Sequence, residues 1–81
     1  MSFLRDYILD EEFQILYLKE AVNIKNYLKI NYMERERVSL TYSKGNVIVY
    51  GKNLRIKKLL DSEILIEGNI ETIELKQEKN V

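Results

Sequence analysis

Between Val38 and Leu75 apolar and polar side chains alternate almost without a break, and the chain's three glycines, Gly45, Gly51 and Gly68, all fall inside that stretch. A period of two places successive side chains on opposite faces of a strand, so this half of the chain must be β-structure with one face turned to a core. Val38, Leu40 and Tyr42 point one way, and Ser39, Thr41 and Ser43 the other. The turn from Ser43 to Asn46 closes a hairpin, with Gly45 supplying a positive φ. Its register stays open between a tight turn and a longer loop with a bulge.

Asn46 to Tyr50 is apolar on both faces, since Val47 and Val49 oppose Ile48 and Tyr50, so one face is free to meet another molecule. Gly51-Lys52-Asn53 then interrupts before Leu54 and Ile56 resume the alternation, and the chain has to reorient there. Glycine at positive φ and an asparagine bonded to nearby backbone permit that corner. A turn near Asp61-Ser62 leads to a return strand carrying Ile64 and Ile66. If Leu60-Asp61-Ser62 forms the turn, Ile56 faces Ile66 and Arg55 faces Glu67, an opposite-charge pair. Gly68-Asn69 suits a further two-residue turn, after which Ile70 to Leu75 makes the last strand.

Upstream, Phe3, Leu4, Tyr7 and Ile8 have helical spacing and suggest a short N-terminal helical turn. From Glu12 to Leu18 both faces are apolar, and the expected strand is covered on both sides. Lys19 to Asn26 reads as a connection anchored by Val22 and Ile24, followed by a strand from Tyr27 to Met33 and a solvated charged turn over Glu34 to Arg37. The expected fold is all-β, a small antiparallel meander or partly closed sandwich of about six or seven short strands. It is a single domain over residues 1–81, with a variable N-terminal segment over 1–11 and a polar tail over 76–81.

A chain of 81 residues buries a small core, and with no cysteine it has no disulfide or thiolate site to reinforce it. Thirteen basic and thirteen acidic residues give zero formal charge, which removes the long-range field that gathers nucleic acid and favours self-association. A homo-oligomer joined through a strand edge or an apolar sheet face is therefore expected. No apolar run approaches the length of a membrane span, and Asp6 interrupts the start where a signal peptide needs an apolar core. The expected location is cytoplasmic.

Without histidine or cysteine the commonest general base, metal ligands and thiol nucleophile are missing, so no catalytic, cofactor or metal residues are assigned. Ser39, Thr41 and Ser43 are the hydroxyls a strand's polar face ordinarily carries. Glu63, Glu67, Glu71 and Glu74 run along strands instead of converging as a hard-cation site requires. Lys52, Arg55, Lys57 and Lys58 form a basic cluster, and six tyrosines could stack bases, which makes a single-stranded nucleic-acid module the alternative reading. Acidic residues on neighbouring strands oppose it. Candidate turn residues are Gly45, Gly51, Asn53, Gly68 and Asn69; candidate partner-docking residues are Lys52, Arg55, Lys57, Ile48 and Tyr50.

Several stretches from Ala21 to Leu75 occur together in an order that resembles the YabP/YqfC family of small sporulation proteins. They are Val22-Asn23-Ile24-Lys25-Asn26-Tyr27, the Lys44-Gly45 turn, Gly51-Lys52-Asn53-Leu54-Arg55-Ile56, and Ile64-Leu65-Ile66-Glu67-Gly68 followed by Ile70 and Ile73. The Gly-x-Asn-Leu-x-Ile segment is the most specific. The resemblance implies a non-enzymatic protein made during sporulation in a spore-forming Gram-positive bacterium, acting in spore envelope or cortex formation through protein partners, and it brings no catalytic residues with it.

Overall fold

The alternating half of the chain becomes two long strands that form the spine of the molecule. The computed structural model describes residues 12–77, which fold as a six-stranded antiparallel sheet. The strands are β1 (Gln14–Leu18), β2 (Ala21–Lys25), β3 (Lys29–Met33), β4 (Arg37–Tyr42), β5 (Gly45–Leu59) and β6 (Glu63–Gln77), in the order β1-β2-β6-β5-β4-β3. The fold is all-β, as expected. The N-terminal helical turn expected around Phe3 to Ile8 lies outside the described residues.

Chain connectivity forces this sheet to fold over. β2 ends with Lys25 opposite Glu63, at the closed tip of the β5-β6 ribbon, whereas β3 begins with Lys29 opposite Thr41, near the ribbon's open end. The four steps from Lys25 to Lys29 span at most about 14 Å, but a straight ribbon from Asn46 to Leu59 would be about 40 Å long. The ribbon must therefore bend back until its ends meet. Asn26 N–H donates to the Ser62 carbonyl at 2.6 Å and Leu28 N–H to the Thr41 carbonyl at 2.7 Å, fixing the two ends together. Phe13, just before β1, stacks on Tyr42 of β4 with ring centroids 4.1 Å apart. The core lies between the two halves. Val22, Ile24, Ile64 and Ile66 come from one half, Val38, Leu40, Val47 and Val49 from the other, and Leu54 and Ile70 fill the bend.

Three irregularities in the β5-β6 ladder make the bend. Register shifts fall between Tyr50 and Gly51, between Lys52 and Arg55, and between Ile56 and Lys58. Each leaves an extra residue on one strand, Glu71 in the first case and Lys57 in the last, and each raises local twist and bending. Inward positions accordingly switch from Val47 and Val49 to Leu54 and Ile56. Neighbouring loops satisfy the backbone there: Gly51 N–H donates to the Glu36 carbonyl, Leu54 N–H to that of Arg35, and Gly68 N–H to that of Glu20.

Several expectations need correction. Lys19 to Asn26 is not a connection: Ala21–Lys25 is strand β2, with Val22 and Ile24 fully buried. The turn before it is only Lys19-Glu20, where Glu20 has φ 58°. Gly68-Asn69 is not a turn, because β6 runs straight through it, with Gly68 at φ 141° where the ribbon bends. At the corner the left-handed residue is Asn53, at φ 54°, and Gly51 is not among the positive-φ residues. Gly51 is needed there for close approach to the Asn69 backbone. Among the described residues strand β1 is not covered on both sides: Leu16 and Leu18 on one face and Tyr17 on the other are exposed, and the strand lies at one edge of the sheet.

Other expectations hold. The hairpin is tight, although its two turn residues are Ser43-Lys44 and not the expected Lys44-Gly45: Gly45 is the first residue of β5, at φ 153°, opposite Tyr42. Arg55 faces Glu67 and Ile56 faces Ile66. Leu60 N–H donates to the Glu63 carbonyl, so Asp61-Ser62 is the turn, and the extra residue at Lys57 restores the expected pairing.

Candidate functional site

The outer face of the half built from β3, β4 and the start of β5 carries two of the hydroxyls that the sequence singles out, Ser39 and Thr41, together with the amides of Asn31 and Asn46. Asn31 is the extra residue in β3 where the β3-β4 register shifts, and this turns its side chain onto the face. Asn31 Nδ2 donates to Ser39 Oγ at 3.1 Å and to Asn46 Oδ1 at 3.3 Å, while Thr41 Oγ1 lies 2.9 Å from both Asn31 Oδ1 and Asn46 Oδ1. These groups bond to one another. Ser39 is buried beneath the network, and neither hydroxyl has a base beside it. Among the described residues no group of acidic side chains is arranged to hold a metal ion.

Ile48 and Tyr50 share this outer face. Ile48 is buried by its neighbours, opposite Ser39 on one side and Glu74 on the other. The Tyr50 hydroxyl donates to Glu74 Oε1 at 3.2 Å. Desolvation, and then the hydrogen bond to Glu74, push its pKa above the usual tyrosine value. Beside it the Arg37 guanidinium sits 5.4 Å from the centroid of the Tyr32 ring and is anchored by Glu34 at 3.1 Å, which raises its pKa further.

Arg55 and Lys57 lie past the Lys52–Arg55 register shift, on the outer face of the opposite half, so the structure separates them from Ile48 and Tyr50, while Lys52 sits at the bend itself. Arg55 and Lys57 both reach Glu67, at 3.4 Å and 3.1 Å. One carboxylate thus takes up two of the cations a nucleic-acid groove would need free for phosphates. Lys52 and Lys58 are exposed at separate points along the strand.

A surface that sequence reasoning missed is the β1 edge. Leu16, Tyr17 and Leu18 are 56%, 61% and 44% exposed, and among the described residues β1 pairs with β2 alone. A depression of about 330 Å³ opens along it, lined by Gln14, Ile15, Leu16, Asn23 and Lys25. The signal was present as an uncharged five-residue strand, but apolar residues on both faces suit an interior strand as well as an unprotected edge. A larger depression, about 640 Å³, lies at the ribbon tip between Tyr27 and the Leu59 to Glu63 turn. Burial, and then the nearby Asp61 charge, raise the Tyr27 pKa there.

No helix of the described residues is long and apolar enough to cross a membrane. The family model described as the YabP family matches residues 14–81, a span that contains all six strands. No curated protein and no solved structure matches the chain.

Proposed function

The chain belongs to the YabP family, and on that basis we propose that it is a non-enzymatic sporulation protein that contributes to spore envelope or cortex formation through contacts with other proteins. The observation that carries the reading is the family match across residues 14–81, which takes in the whole β-fold and is not confined to one motif. Two features support a role in binding over catalysis. The hydroxyls and amides of the outer face are tied to one another, and among the described residues the uncharged edge strand β1 has a second side that pairs with nothing. Neither cofactor nor metal enters the proposal, and the partners are proteins of the sporulation machinery.

Expression timing tests it. Transcript and protein followed in the host through growth and sporulation should rise only after sporulation begins, and a deletion should alter the spore envelope or cortex while leaving vegetative growth unchanged. Expression confined to vegetative cells would sink the reading.

A further inference from the structure

We propose that β1 is a self-association edge, through which two copies of the chain join antiparallel about Leu16 and extend the six-stranded sheet across a two-fold axis. This deepens the proposed reading by naming one partner, and it rests on that reading only for the premise that the chain works through protein contacts.

The two edges of the sheet differ in how they are protected. β3 carries Lys29 and an extra residue at Asn31, whose side chain is bound into the network with Ser39, Thr41 and Asn46. A charge and a bulge are the devices that keep an edge from pairing. β1, Gln-Ile-Leu-Tyr-Leu, has no charge, no proline and a regular register against β2 from Gln14 through Leu18. Its outer backbone groups pair with nothing among the described residues.

The strand is also self-complementary. Centred on Leu16, the antiparallel pairing sets Leu16 against Leu16, Ile15 against Tyr17 and Gln14 against Leu18, so no like charges are opposed within it. A two-fold axis closes the assembly at two copies and leaves the protected β3 edges outermost. At their observed exposures Leu16, Tyr17 and Leu18 leave on the order of 300 Å² open on each copy, or about 600 Å² in the pair before the edge backbone is added. That falls below the roughly 1,200 Å² of a permanent interface, so the expected dimer is weak and depends on concentration in the micromolar range.

Sedimentation equilibrium on the full chain across micromolar concentrations, with circular dichroism to confirm folding, tests this. The wild type should dimerise. Leu16→Lys should weaken association at least about tenfold, whereas Met33→Lys on the β3 edge should leave it unchanged. Because the chain contains no cysteine, Leu16→Cys offers a second measurement: mild oxidation should convert it to a disulfide-linked dimer, and Met33→Cys should stay largely uncrosslinked. A wild type that stays monomeric at high micromolar concentration overturns the proposal, as does association that survives Leu16→Lys but is lost in Met33→Lys. A monomer with sporulation-specific expression would reject the β1 edge alone and leave the functional reading standing.

Discussion

Gly51 lies against the backbone carbonyl of Asn69, and a Cβ at position 51 would overlap that oxygen. The neighbour is backbone in the middle of β6, so it has no rotamer by which to retreat. Gly51→Ala should therefore destabilise the fold by more than about 1 kcal/mol, while the exposed Lys52→Ala should change it by less than about 0.5 kcal/mol. Urea denaturation of both variants checks this. An unchanged midpoint for Gly51→Ala would mean that the strands can separate locally at no cost, and that the bend is not held by close approach.

Asn53, at φ 54°, carries the backbone conformation that lets β5 gain a residue opposite Gly68. Its side chain is exposed, so the residue matters for its backbone more than for its contacts. Asn53→Gly should be neutral within about 0.5 kcal/mol, because glycine enters the left-handed region freely. Asn53→Val should cost at least about 1 kcal/mol, since a β-branched residue enters it only under strain. Equal midpoints for the two variants would show that the corner adopts another conformation in solution.

The corner was legible because its signal is local: the inward positions change from odd to even between Val49 and Leu54, and only an extra residue can cause that. The pairing of Arg55 with Glu67 was legible for the same reason, since hydrophobic phase and charge agree. β2 was not. Five residues with an asparagine at position 23 and another just after them at 26 resemble a loop, and only the distant pairing of Val22 with Ile66 and of Ile24 with Ile64 turns them into a strand. Glycine was over-read as a turn signal at Gly68, where the structure uses it inside a bent strand. The candidate docking residues divided at the corner itself: Ile48 and Arg55 lie on one strand on either side of it, and the change of phase marks where the chain reorients but not how far the strand folds over.

Above pH 10 stability should fall, and Tyr27 should contribute to the loss. Its pKa is raised in the fold by burial and by Asp61, so the folded state favours the neutral phenol. The stabilisation is complete below the unfolded value near 10 and disappears as pH climbs through the higher folded value. Tyr27→Phe should show a shallower decline between about pH 9.5 and 11 than the wild type, measured by denaturation midpoints. Parallel curves for the two proteins would mean that Tyr27 is solvated in solution.

Burial divides the two strands of the N-terminal hairpin, and this gives the most direct check on the fold. Ile24 on β2 is fully enclosed between Ile15 and Ile64, whereas Leu16 on β1 is more than half exposed. Ile24→Ala removes three carbons from a core shared by both halves of the sheet and should cost about 2–5 kcal/mol, a large part of what so small a domain has. Leu16→Ala, measured at a concentration low enough to keep the chain monomeric, should cost less than about 1 kcal/mol, because it leaves no cavity behind. If residues 19–26 were instead a surface connection, the two costs would be similar. The difference between them therefore reports whether β2 is the strand that closes the sheet onto β6.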